Sequence, residues 1–110
     1  MAWLNIEQPF VTPEVIQIGG MVRIRVLVRN SAGTLATPGT TKQVHIYDPN
    51  GTEVASSPFA LTADATGDLS YNYQTVTSII PGPYSIKVET VDGGNTQEKS
   101  LKDAFETTTL

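Results

Sequence analysis

The stretch Met21-Val22-Arg23-Ile24-Arg25-Val26-Leu27-Val28-Arg29 decides the fold. Val22, Ile24, Val26 and Val28 alternate with Arg23, Arg25 and Arg29. A β-strand sends successive side chains to opposite faces, so this pattern describes a strand with one buried and one wet face. Residues 83–90 repeat it: Tyr84, Ile86 and Val88 alternate with Ser85, Lys87 and Glu89. Two such strands, distant in sequence and joined by turn-rich segments, predict an antiparallel sandwich.

The rest of the chain fills in around this pair. Phe10, Val11, Val15, Ile16 and Ile18 suggest a first strand bent near Pro13, reversed at Gly19-Gly20. Residues 30–41 are rich in turn formers. Val44 and Ile46 share one face of a strand over residues 42–47, and Asp48-Pro49-Asn50-Gly51 is a tight turn. Residues 52–56 are expected to return as a short strand, and Leu69, Tyr71 and Tyr73 to alternate along another. Asp92-Gly93-Gly94-Asn95 is a hairpin turn into a last strand over residues 97–105. Leu101 and Phe105 share a phase there, yet Asp103 falls between them on the same face, which predicts a bulge. No segment carries a helical period, so the expectation is an all-β sandwich of seven or eight strands. Its core would hold Val22, Ile24, Val26, Val28, Val44, Ile46, Leu69, Tyr71, Tyr84, Ile86 and Val88. Residues 14–110 form the domain, and residues 1–13 an N-terminal arm or an extension of the first strand.

At 110 residues the chain suits one domain that can bury a core without a staple, and it has no cysteine to make one. Thiol catalysis and thiolate metal sites are therefore excluded. A net charge of −4 makes a poor generic ligand for nucleic acid or anionic membrane. Nothing approaches the roughly 20 apolar residues that span a bilayer. The first ten residues lack the basic and apolar regions of a signal peptide, so synthesis in the cytoplasm is expected, with an extracellular place if the chain was excised from a larger surface protein.

With the strands placed, the chain resembles an immunoglobulin-like domain. The cues are Ile18-Gly19-Gly20-Met21-Val22 leading into Arg23-Ile24-Arg25-Val26, then Tyr47-Asp48-Pro49-Asn50-Gly51, then Gly82-Pro83-Tyr84-Ser85-Ile86-Lys87-Val88. Their order and spacing are similar to macroglobulin-type domains and to bacterial and phage Ig-like modules, over most of residues 14–105. There is no cysteine pair across the sheets, and Trp3 is not on the third strand where antibody domains bury theirs. The resemblance implies a scaffold and transfers no functional residues. It also resembles the accessory proteins of tailed phages, which implies a structural subunit of a virion (head decoration, neck or tail) with capsid or tail subunits, or itself, as partner. The alternatives are a spacer or adhesion module of a bacterial or archaeal surface protein, and a non-catalytic domain of a secreted enzyme.

Each candidate site also admits a plainer role. His45 is the only histidine and alternates with Val44 and Ile46, so it should be a solvated residue on an outward face. No serine and carboxylate converge on it locally, so no catalysis and no cofactor are expected. Arg23, Arg25 and Arg29 are three of seven basic residues and line one strand face. They read either as a docking stripe for an acidic partner or as an outer face paired across strands with a carboxylate or Asn72. Loops at one end of an Ig-like sandwich would gather Asp64, Asp68, Asp92 and Asn95, oxygen ligands that suit calcium or, more simply, turn formers. Asn50-Gly51-Thr52 matches a glycosylation acceptor, and is also an ordinary turn sequence. Trp3, Leu4, Ile6 and Phe10 make an apolar arm. It either folds back onto the sandwich or contacts a neighbouring chain, with Trp3 and Phe10 as anchors. On the second reading the core is complete without the arm, and deleting residues 1–9 leaves stability unchanged.

Overall fold

The computed structural model describes residues 4–76 and 80–109, and Trp3 lies outside them. Among the described residues all regular structure is β, in ten segments. These are β1 (Asn5–Ile6), β2 (Phe10–Thr12), β3 (Val15–Gln17), β4 (Met21–Arg29), β5 (Thr41–Tyr47), β6 (Phe59–Ala60), β7 (Thr62–Ala65), β8 (Asp68–Gln74), β9 (Gly82–Asp92) and β10 (Asn95–Thr108). They form two sheets. One has the order β1-β4-β8-β7, with β2 also on β4; the other has the order β3-β10-β9-β5-β6. All pairings are antiparallel except β3 with β10.

The count exceeds the expected seven or eight because two strands are interrupted where they change sheets, and the first of them also breaks between β1 and β2 beside β4. Residues 4–12 run beside β4, and past Pro13 the chain joins β10 as β3. Proline cannot donate to a ladder, which suits a crossing point. The second switch is at Leu61, between β6 on β5 and β7 on β8; its side chain is buried and its N–H donates to Lys42 O at 2.9 Å. Joining each interrupted strand leaves seven, as in an Ig-like sandwich.

The alternation of β4 and β9 sets the core. Val22, Ile24, Val26, Val28, Tyr84, Ile86 and Val88 are buried, and Val44, Ile46, Leu69 and Phe105 meet them from β5, β8 and β10. Tyr71 departs from the expected core set: it is only partly buried. It pairs with Ile24 and faces inward, but β7 pairs with β8 no further than Ser70, which leaves Tyr71 at an uncovered margin. The bulge in β10 lies where the phase conflict predicts it. The register shifts between Leu101 and Phe105, and Asp103 takes φ 53°. Residues 52–56 form no strand, only a bridge from Glu53 to Tyr47. Gly67 takes φ 69°, and a Cβ there would sit 2.6 Å from Val28 O, so the β7–β8 turn requires glycine.

The N-terminal segment is part of the sandwich, which corrects the arm reading. Leu4 is 5% exposed and belongs to the core cluster. Asn5 and Ile6 pair with Arg29 and Val28, and β2 pairs with Arg25, Ile24 and Arg23. β8 covers only one side of β4, so the other side offers a row of backbone donors and acceptors that the first residues satisfy. The core is thus not complete without them. Phe10 does stay outside, 66% exposed.

One feature of Ig-like sandwiches is unmarked by the pattern. Tyr84 Oη donates to Ile80 O at 2.6 Å, tying the start of β9 to the connection before it, the arrangement known as a tyrosine corner. Burial pushes its phenol up to about 12.

Candidate functional site

The arginine stripe exists, and each of its members is matched within the chain. Arg23 Nη2 lies 3.0 Å from Asp64 Oδ2, which also accepts from Ser70 Oγ at 2.6 Å. Arg25 grips Asp68 through two bonds, Nε to Oδ1 at 2.9 Å and Nη2 to Oδ2 at 2.7 Å. Arg29 reaches Glu7 Oε2 at 3.2 Å and Gly33 O at 3.0 Å. The fork of Arg25 holds the Asp68 carboxyl below its ordinary value and the Asp68 carboxylate raises Arg25 in turn. These pairs are the cross-strand partners the plainer reading expected, so a docking acid would have to displace a carboxylate already in place.

The same pairs dissolve the oxygen cluster proposed for calcium. Asp64 and Asp68 face arginines on the outer side of the first sheet. Asp92 accepts from Gly39 N–H at 2.7 Å, and pairs with Asn95 across the hairpin of the second sheet. Among the described residues no three acidic or imidazole groups are placed to hold a metal ion. Asn50 sits in an ordinary turn, whose Asp48 Oδ1 accepts from the N–H groups of Asn50 and Thr52.

His45 is not the solvated residue expected from its phase. Its ring lies between two carboxylates, with Nδ1 2.8 Å from Glu53 and Nε2 3.0 Å from Glu89. Gln43 donates to Glu89 at 2.8 Å and Ser57 Oγ to Glu53 at 2.6 Å. Hydrogen bonds from Ser57 and then His45 lower the Glu53 carboxyl; those from His45 and then Gln43 lower Glu89. A serine, a histidine and two carboxylates therefore do gather, but in an order unsuited to nucleophilic catalysis. Ser57 Oγ donates its hydrogen bond to Glu53, accepts from Ile46 N–H, and makes no bond to His45. The arrangement fastens the 53–57 loop to β5 and β9. Its signal, polar residues in outward phase on both strands, becomes readable only once the β5–β9 register is known.

One incompletely covered surface is apolar. Where β6 and β7 change sheets, an open groove forms beside β8, lined by Val54, Phe59, Tyr71, Tyr73, Val76 and Ile80, with Asp48, Glu53, Asn72 and Gln74 at its rim. Phe59 stacks on Tyr71 with ring centroids 4.6 Å apart and leans on Tyr73 at 5.7 Å. Tyr73 continues to Phe105 at 6.2 Å, and Phe105 stacks on Tyr84 at 5.2 Å. The groove floor is thus the outer end of a row of rings running into the core. Val76 and Ile80 stand at its margin 52% and 41% exposed. Sequence reasoning passed over this groove because it placed Tyr71 in a closed core.

No protein-family model matches the chain, and no curated protein matches it in sequence. Solved structures do match in shape. The Lin-41 filamin domain aligns with a TM-score of 0.58 at 16% identity, over 96% of this chain and 91% of that one. A DUF4785 family protein from Legionella pneumophila aligns with a TM-score of 0.61 at 14% identity, over 96% of this chain and 28% of that one. The alkylpurine DNA glycosylase AlkC of Pseudomonas fluorescens, bound to DNA containing an abasic site analog, aligns with a TM-score of 0.50 at 18% identity, over 94% of this chain and 30% of that one. At these identities the likeness shows the fold alone, an Ig-like β-sandwich. The chain spans less than a third of the length of the latter two.

Proposed function

We propose that this chain is a non-catalytic interaction domain, and that it takes an extended segment of a protein partner into the groove beside β8. The observation that carries the reading is the stacked Phe59–Tyr71 pair left at the surface, flanked by exposed Val76 and Ile80. Aromatic side chains bring large apolar area at low entropic cost and dominate binding energy when a partner seals them. Asp48 and Glu53 at the rim, on a chain of net charge −4, favour a segment with basic residues flanking its apolar anchors. The grouping around His45, the one place where a serine, a histidine and carboxylates meet, is internally bonded and fits a structural role.

For the larger assembly we favour a virion, with the chain as a head decoration, neck or tail accessory subunit. The motive is the small, cysteine-free Ig-like sandwich. A module of a longer surface protein, or of a secreted enzyme, is the competing reading; the much longer chains of two structural neighbours favour it.

The test is site-specific photo-crosslinking in the producing cell. A photoreactive residue in place of Val76 or Ile80 should give one discrete adduct with a protein, and the same probe at Ser31, past the end of β4 opposite the one that pairs with Gln74 at the groove, should not give that adduct. No adduct at either groove position, or the same adduct from all three, contradicts the reading.

A further inference from the structure

The second sheet finishes its two edges differently. On the β5 side, Ile46 N–H donates to Ser57 Oγ at 3.0 Å, Val54 N–H donates to Ile46 O at 2.9 Å, and β6 pairs with Gln43 and Val44. On the β10 side, β3 pairs only with residues 106–108, and among the described residues no strand pairs with the outer edge of residues 96–102. The hairpin turn fixes which backbone groups face out. Asp92 and Asn95 flank the two-residue turn and exchange hydrogen bonds across it, so alternation directs the N–H and C=O of Thr96, Glu98, Ser100 and Lys102 away from β9. Val91 O, which accepts from Thr40 N–H at 3.0 Å on the β5 side, agrees with this phase. The four side chains are exposed on the sheet's outer face, while Leu101 of the opposite phase pairs with buried Ile86.

We infer that a second copy of this chain pairs antiparallel with this edge about a twofold axis at Ser100. Glu98 of each copy, which also holds Lys87 of its own chain at 3.4 Å, then faces Lys102 of the other. The register follows from two constraints. Moving the axis toward the hairpin, to Lys99 or Glu98, sets like charges directly opposite each other, which destabilises a cross-strand pair. Moving it the other way, to Leu101 or beyond, brings Thr96 against Glu106, whose N–H already donates to Glu14 O at 2.7 Å. With the axis at Ser100 the regular ladder runs from Glu98 to Lys102, and the bulge at Asp103 ends it before β3 begins. The contact is isologous and closed, and it buries a backbone edge that would otherwise stay open to any strand. It involves none of the groove residues, so its failure leaves the proposed function standing, and the converse holds too.

Sedimentation equilibrium on the whole chain, from dilute to millimolar protein, tests the inference. The wild type should form dimers and nothing larger. Glu98→Lys and Lys102→Glu each create two like-charge contacts per dimer and should raise the dissociation constant about tenfold or more, and the double variant should return it to within about threefold of wild type. Ser100→Pro removes an N–H that faces the open edge and not β9, so it should abolish the dimer while circular dichroism remains that of the wild type. If that variant misfolds, the charge swap decides alone. A wild type that stays monomeric throughout, a dimer indifferent to the charge variants, or a double variant as weak as the singles overturns the inference.

Discussion

The outer face of the first sheet and the groove beside it meet at β8, and they are finished in opposite ways. On the outer face, Arg23, Arg25 and Arg29 each find a carboxylate of the same chain within 3.2 Å. In the groove, Tyr71 and Phe59 find each other, but Val76 and Ile80 stay 52% and 41% exposed. A row of arginines is conspicuous in a sequence, yet its charges are answered as soon as the strands align. A cluster of rings is inconspicuous because it reads as core. The difference teaches that a docking surface is better sought where apolar area is left over than where charge is concentrated.

The largest expected effect comes from beneath both regions. Ile24 is fully buried on β4 and pairs with Tyr71, so Ile24→Ala should cost roughly 2–5 kcal/mol in urea unfolding. A loss below about 1 kcal/mol would mean the two regions do not share one core. Next is the N-terminal segment, which anchors the stripe at its far end. Deleting residues 1–9 removes buried Leu4 and the Glu7 partner of Arg29, and should lower stability by about 2 kcal/mol or more. An unchanged melting temperature would restore the free-arm reading.

The third effect is set by pH and uses the other sheet as a reference. Glu53 and Glu89 are held below the ordinary glutamate value by their hydrogen bonds. A depressed carboxyl stabilises the fold above its unfolded-state value, about 4.3, and that contribution is lost as pH falls through the lower folded-state value. The stability of Glu89→Gln should therefore fall less steeply than that of the wild type below about pH 4. Identical slopes in acid unfolding curves would mean the His45 grouping does not couple to folding. Smaller still is Arg25→Ala. Arg25 is half exposed, so the loss should be slight and should shrink further in high salt. A large, salt-independent loss would show the stripe to be structural in a way its exposure does not suggest.

How much of this was legible in the sequence depended on the range of the information required. β4 and β9 announce themselves because alternation is local, and the β10 bulge because Leu101 and Phe105 conflict with Asp103 over five residues. The place of Leu4 was not legible, since it depends on which side of β4 remains open after β8 has paired. Nor were the partners of Arg23 and Arg25, which come from the β7–β8 turn some 40 residues away, as the sequence separations of 41 and 43 attest. The groove was hidden for the same reason. Tyr71 has the phase of a core residue, and only the early end of β7 opposite Ser70 uncovers it.

The most direct test compares substitutions in the two regions against the partner captured by crosslinking at Val76. Val76→Glu with Ile80→Glu should leave the melting temperature nearly unchanged, because both side chains are already exposed, and should abolish retention of the partner. Arg23→Gln with Arg25→Gln should leave retention intact. Loss of the partner from the arginine variant, with the groove variant still binding, would contradict the account.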